Sequence, residues 1–162
     1  MHSFARIRKA TKDDIFFIRS LEMDPANTMV HAWDAPTHHT NMDDPDYHYL
    51  IAEDIEGTPL GHAILLDNEP GRVEWRRIIV ARRGDGIGKA FMKAVLEYFF
   101  TVHQAKVIWL DVYERNSRAR HVYETLGFRE VGEDLKTVPG ERLVIMECQH
   151  PQKVASQRGV TQ

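Results

Sequence analysis

The stretch Arg82-Arg83-Gly84-Asp85-Gly86-Ile87-Gly88-Lys89-Ala90-Phe91 decides how this chain is read. It joins an apolar, strand-like run ending Ile78-Ile79-Val80 to a run of helical spacing from Ile87 to about Thr101. In that run Phe91, Met92, Val95, Leu96 and Phe99 fall on one face. Three glycines at alternate positions, leading into a helix, leave backbone N–H groups bare and aimed outward. A helix N-terminus also carries roughly half a positive charge, so the geometry suits a phosphate.

Working outward, Phe4 to Lys9 alternates and predicts a strand. Thr11-Lys12-Asp13-Asp14 has the form of a capping box for a helix reaching about Met23. From Asp24 to Asp46 the pattern breaks at Pro25, Asn27, Pro36, Asn41 and Pro45, which predicts loops with one or two short helical turns. Trp33 and Tyr47 favour an ordered, substrate-side loop. Three strands follow, Tyr47–Asp54, Leu60–Leu66 and Arg72–Val80, separated by turn residues and forming an antiparallel meander. After the glycine turn and its helix come a buried-type strand, Lys106–Val112, and a helix capped by Asn116 or Ser117 and stopped at Gly127. A last hairpin, Phe128–Lys136 with Glu141–Cys148, turns at Pro139-Gly140. The expected order is β-α-(loop)-β-β-β-α-β-α-β-β. That is a single-domain α/β fold over 1–150, with a mixed, mostly antiparallel central sheet flanked by helices. A polar tail, 151–162, reads as disordered, and the strand–turn–helix–strand unit is the one parallel crossover.

The chain has 162 residues and a net charge of −3, ordinary for one soluble domain. No apolar run is long enough to span a membrane, and the first residues lack an apolar signal region. A single cysteine, Cys148, excludes an internal disulfide, so a cytoplasmic location is expected. The charge is unevenly spread. Ser20–Gly71 holds eleven acids and no Lys or Arg, leaving 24 − 11 = 13 acids with all 21 basic residues elsewhere. The long acidic segment would repel nucleic acid, and it can steer a cationic partner. Nine histidines are present, but neither a helical H-x-x-x-H nor a cysteine partner points to a metal. Surface or substrate-loop positions are the expectation for them, with His31, His38 and His39 close together.

Other phosphate-binding motifs fit poorly. The spacing Gly84, Gly86, Gly88 is not the dinucleotide pattern G-x-G-x-x-G, and it follows three strands rather than opening the chain. Gly88-Lys89-Ala90 lacks the hydroxyl a nucleoside-triphosphate loop uses for magnesium. What the segment from Glu74 to about Gly132 does resemble is the acyl-CoA-binding core of the GNAT N-acetyltransferase superfamily. Arg83-Gly84-Asp85-Gly86-Ile87-Gly88 matches that family's pyrophosphate motif. Asn116-Ser117-Arg118-Ala119 followed by Tyr123-Glu124-Thr125-Leu126-Gly127-Phe128 matches a second signature.

The resemblance implies acetyl-CoA as cosubstrate. Its phosphates would lie on Arg83, Gly84, Asp85, Gly86, Ile87, Gly88 and Lys89, with Asn116 and Arg118 as further contacts. Its pantetheine arm would add alongside Ile78, Ile79 and Val80 as a strand does, next to a gap between that strand and Lys106–Val112. Arg82, Arg115 and Arg120 add to the positive charge near the two motifs. An alkylammonium, with a pKa near 10.4, must lose a proton before it attacks, and the leaving thiolate gains from an acid. The resemblance assigns the acid to Tyr123 and the amine-activating carboxylate to Glu74. A carboxylate between Val73 and Trp75 is costly unless used, although an ion pair with an arginine such as Arg76 is the alternative. A backbone N–H near Ile79 or Val80 would meet the oxyanion. Trp33, Asp43, Asp44 and Tyr47 are candidates for the acceptor side. The expected reaction is direct transfer, in a ternary complex, to a primary amine of a cationic small molecule or a protein. A homodimer through the last hairpin is common among relatives. The competing reading is a non-catalytic acyl-CoA-binding or sensing module, against which Tyr123 and Glu74 argue.

Overall fold

The computed structural model describes residues 3–27, 32–81, 86–134 and 140–151. The first strand, β1, is Arg6–Lys9. A 3-10 turn, Lys12–Asp14, leads into α1, Ile15–Glu22. The capping box forms there, with the Thr11 N–H donating to the Asp14 carboxylate at 2.7 Å. The stretch expected to hold one or two short turns contains a nine-residue helix, α2, Ala35–Asp43. It lacks an apolar stripe and owes its start to local chemistry. The Asp34 side chain accepts from the Thr37 N–H at 2.9 Å, and Pro36 sits in the first turn, where no N–H is needed.

The remaining elements follow the predicted order: β2 Tyr47–Glu53, β3 Pro59–Glu69, β4 Arg72–Val80, α3 Ile87–Thr101, β5 Val107–Tyr113, α4 Ser117–Thr125, β6 Arg129–Glu133 and β7 Leu143–Gln149. The strands hydrogen-bond in the order β1-β2-β3-β4-β5-β7-β6. β1 with β2, β2 with β3, β5 with β7 and β6 with β7 run antiparallel, while β4 and β5 run parallel, as the crossover through α3 requires. The hairpin turn expected at Pro139-Gly140 and the polar tail from residue 152 lie outside the described residues, apart from Gly140 itself.

Residues group into two compact units, Met1–Asp67 with Trp75–Val95, and Asn68–Glu74 with Leu96–Gln162. In the first unit, Ala10, Ile18, Tyr49, Ile51 and Ile64 form a buried cluster, with Phe17, Trp33, Met42 and Tyr47 packed against it. β3 passes very close to β4 at Gly61, where a Cβ would stand 2.6 Å from the Ile79 carbonyl oxygen, so only glycine fits without movement. In the second unit, Ile108, Leu110 and Val112 of β5 and Val144, Met146 and Cys148 of β7 are buried. Each set is spaced by two, as the pleat demands. On α3 the buried residues Phe91, Met92, Val95, Leu96, Phe99 and Phe100 keep helical spacing. No helix among the described residues is long and apolar enough to cross a membrane.

Candidate functional site

Tyr123 is placed by the way its helix ends. Gly127 adopts φ 103°, a left-handed conformation that a Cβ would strain. The Phe128 N–H donates back to the Tyr123 carbonyl at 3.0 Å, and the Gly127 N–H to the Glu124 carbonyl at 3.1 Å. This is the paired bonding of a glycine-terminated helix, and its usual apolar contact is present, with the Tyr123 and Phe128 ring centroids 5.9 Å apart. The run Tyr123-Glu124-Thr125-Leu126-Gly127-Phe128 is therefore a cap that fixes one phenol. Burial, with the Asp111 charge acting in the same direction, pushes that phenol up to about 12. Tyr123 holds its proton at neutral pH, as a general acid must.

Asn116 caps the same helix, its side-chain oxygen accepting from the Ala119 N–H at 3.3 Å. Arg118 is exposed on the first turn of α4. Two of the other arginines near the motifs are engaged with the protein itself. Arg115 pairs with Glu141 at 2.6 Å, and Arg120 donates to the Glu114 carbonyl at 3.0 Å. Glu74 is half-buried on β4, opposite Trp109 in a parallel ladder of three pairs, Arg72–Glu74 with Val107–Trp109.

Farther along β4, Ile79 is buried and Ile78 and Val80 are half-buried. Arg83, Gly84 and Asp85 of the glycine turn, with Arg82, lie outside the described residues. Gly86, at φ 73°, accepts the Ala90 N–H at 3.1 Å, the first bond of α3. The N–H groups of Ile87, Gly88 and Lys89 precede that bond and have no partner within the helix. Ile87 is buried, Gly88 half-buried and Lys89 exposed. Among the described residues, a Cβ on Gly88 would meet only Val80 methyl groups at 3.8 Å or more.

On the α1–α2 side, Trp33 and Tyr47 pack against one apolar cluster, whereas Asp43 and Asp44 are exposed at the end of α2. Asp43 pairs with Lys12 at 2.6 Å, and Asp44 accepts from the Asp46 N–H at 2.9 Å. The acidic segment meets cations from outside itself. Glu53 pairs with Arg6 at 3.0 Å and Arg8 at 2.7 Å, and Glu22 pairs with Arg77. Part of the charge asymmetry is thus consumed inside the fold.

Sequence reasoning missed a buried polar cluster. His38, expected on a surface or in a substrate loop, is fully buried. Its Nδ1 lies 2.7 Å from the Tyr49 hydroxyl and its Nε2 2.7 Å from a Glu22 carboxylate oxygen. The other Glu22 oxygen accepts from Arg77, whose guanidinium carbon sits 4.3 Å from the centroid of the Trp33 ring. His62, also fully buried, has no hydrogen-bond partner for either ring nitrogen among the described residues. The one signal was Asp34 before Pro36, a helix start that would have placed His38 on a helix rather than in a loop.

Comparison with known proteins identifies the family. The family model described as the Acetyltransferase (GNAT) family matches residues 11–128. A spermine/spermidine N(1)-acetyltransferase of Bacillus subtilis is 32% identical over 83 residues, 50% of this chain and 53% of the relative. A spermidine N(1)-acetyltransferase of Vibrio cholerae is 26% identical over 144 residues, 82% of this chain and 83% of the relative. The chain thus spans about half the length of the Bacillus relatives it matches. Among solved structures, the spermidine N-acetyltransferase from Vibrio cholerae in complex with CoA and spermine superposes with a TM-score of 0.78. It is 22% identical, covering 91% of this chain and 96% of that one, and so establishes the fold. The family model matches most of the chain, and the strand order agrees with the fold of that neighbour: this protein is a member of the acetyltransferase (GNAT) family.

Proposed function

We propose that the protein moves an acetyl group from acetyl-CoA to a primary amine by direct transfer in a ternary complex, within one domain of residues 1–150. A cationic small molecule of the polyamine class is the acceptor that best fits. The observation that carries the reading is the glycine-capped α4, which holds a half-buried, protonated Tyr123 within a family signature. Supporting it, α3 opens with Ile87, Gly88 and the exposed Lys89, whose N–H groups have no partner within the helix, next to a cation, as suits a pyrophosphate. The relatives that act on spermidine or spermine support the acceptor class.

In this reading the first turn of α3, with Arg83, Gly84 and Asp85, binds the coenzyme phosphates, assisted by Asn116 and Arg118. Ile78, Ile79 and Val80 align the pantetheine arm. Glu74, directly or through water, takes a proton from the ammonium. The amine lone pair then attacks the thioester carbon, and a backbone N–H near Ile79 or Val80 steadies the oxyanion. As the oxyanion collapses and the C–S bond breaks, Tyr123 gives its proton to the coenzyme thiolate, and the second nitrogen proton restores the phenol and leaves a neutral amide. Trp33, Tyr47, Asp43 and Asp44 face the acceptor. The homodimer belongs to the same reading, since β6 is an edge strand.

The test is thiol release from acetyl-CoA with a panel of linear polyamines, monoamines and peptides with free amino groups. Release is expected with polyamines and not without an acceptor. Silence across the panel, with coenzyme A still binding by calorimetry, would replace this reading with that of a sensing module.

A further inference from the structure

Helix α2 has little of what usually holds a helix against a core. It lacks an apolar stripe, and of its nine residues only His38 is buried. Met42 packs against the apolar cluster of the first unit from a half-buried position. Asp43 pairs with Lys12 at 2.6 Å, but both side chains are exposed, and an ion pair in water contributes little. Asn41 reaches the Tyr49 hydroxyl only at 3.5 Å, the limit of a hydrogen bond.

His38 joins three elements at one ring. Its Nε2 meets Glu22, the last residue of α1, and its Nδ1 meets the Tyr49 hydroxyl on β2, each at 2.7 Å. The His38 and Glu22 side chains are wholly buried, and Tyr49 is 3% exposed. Both contacts are hydrogen bonds whether the ring carries one proton or two. With one, on Nε2, it donates to Glu22 and accepts from the Tyr49 hydroxyl; with two, it donates to both. Bonds between buried groups have no solvent to replace them, so losing one costs more than losing a surface pair. The ring also meets the Tyr49 ring edge-on and the Trp33 ring at a tilt, both at 5.6 Å between centroids. The His38 N–H donates to the carbonyl of Asp34, the neighbour of Trp33, at 3.2 Å. At the other end of α2 stand the exposed Asp43 and Asp44.

We propose that His38 is a positioning residue of the acceptor side. By tying α2 to the end of α1 and to β2, it fixes where Trp33, Asp43 and Asp44 stand, and it touches neither the amine nor the coenzyme. The proposal rests on the acetyl-transfer reading above, and on the placing of those three residues at the acceptor. It gives a role to a histidine that sequence reasoning left at a surface or in a loop.

The experiment takes the best acceptor among the linear polyamines, monoamines and peptides of that panel. Its KM and that of acetyl-CoA are measured in wild type, His38→Phe, Tyr49→Phe and the double variant, with melting curves to confirm folding. His38→Phe keeps an aromatic ring and removes both bonds. It is expected to raise the amine KM about tenfold and to leave the acetyl-CoA KM within about twofold of wild type. Tyr49→Phe removes one of the two bonds and should raise the amine KM about threefold. Because the two changes break a shared bond, the double variant should match His38→Phe within about twofold instead of multiplying the two effects. A merely structural role would lower the Tm and the active fraction, and leave the amine KM of the folded enzyme where it was.

Wild type that acetylates no amine of the panel overturns the reaction and this proposal with it. An active wild type whose amine KM stays within about twofold in His38→Phe overturns the proposal alone, as does an acetyl-CoA KM that rises in step with the amine KM. Should His38→Phe not fold, Tyr49→Phe decides: a rise of about threefold in the amine KM alone supports the proposal, and an unchanged value overturns it.

Discussion

Gly61→Ala probes the close approach of β3 to β4 behind the residues proposed to align the coenzyme. A Cβ at Gly61 would stand 2.6 Å from the Ile79 carbonyl oxygen and 3.1 Å from the Val80 Cα. Cβ atoms do not approach other atoms within 3.0 Å, so the strands must part by at least 3.0 − 2.6 = 0.4 Å. The obstacle is backbone, which cannot swing aside as a side chain can. Overpacking of this kind costs about 1–3 kcal/mol. Gly61 is not at positive φ, so alanine recovers about 0.4–1 kcal/mol by restricting the unfolded chain. The net loss is about 0–2.6 kcal/mol, a fall in Tm of up to about 10 °C for a chain of this size.

Because the shift falls on Ile79 and Val80, the KM for acetyl-CoA is expected to rise while that for the amine changes little. Gly132→Ala is the matched control. It lies in exposed β6, is not at positive φ, and its added Cβ would meet no atom of the described residues within 4 Å. That variant should melt at or slightly above the wild-type temperature. Thermal melts and steady-state kinetics on the two proteins decide the matter. Equal Tm values for Gly61→Ala and Gly132→Ala would refute the reasoning.

Tyr123→Phe removes the proposed acid without changing the ring. It should lower kcat by about 10²–10⁴-fold while the Tm barely moves. Since Tyr123 titrates at about 12, a descending limb of the kcat profile near about pH 8–9 would mean that another group is the acid. Arg8 holds the Asp14 carboxyl below its usual range, chiefly through its hydrogen bonds at 2.8 Å. A carboxyl depressed in the folded state stabilises above its unfolded pKa, about 3.9, and loses that stabilisation as pH falls below it. Melts from neutral pH to about pH 2.5 should therefore show wild type above Arg8→Gln at neutral pH and the two converging in acid; parallel curves would contradict this. His62→Leu discards two buried nitrogens that have no partner among the described residues. Urea unfolding should place it within about 1 kcal/mol of wild type, or above it, and a loss beyond about 2 kcal/mol would reveal a hydrogen bond to the imidazole.

Much of the architecture was legible because it is local chemistry. Alternation specified the strands, Thr11 with Asp14 the start of the first helical segment, and Gly127 the end of α4. Of these, β4 and α3 run over the predicted residues, Arg72–Val80 and Ile87–Thr101. The two helix signatures pointed to the coenzyme for the same reason: a glycine turn and a cap are properties of consecutive residues. The sequence predicts no more than one or two short helical turns where α2 stands, because its signal lies in the cap Asp34 and in Pro36, not in an apolar period.

What the tertiary structure decided was pairing across distance. The gap from Glu22 to Arg77 is 55 residues and from Glu22 to His38 it is 16, so no spacing rule joins them. In sequence, Ser20–Gly71 is a run of acids with no cation. In the fold, Arg6, Arg8, Lys12 and Arg77 reach three of those acids from outside. Composition gives the sign of a segment's charge. Which charges stay available to a ligand depends on which are neutralised by neighbours that only folding brings together.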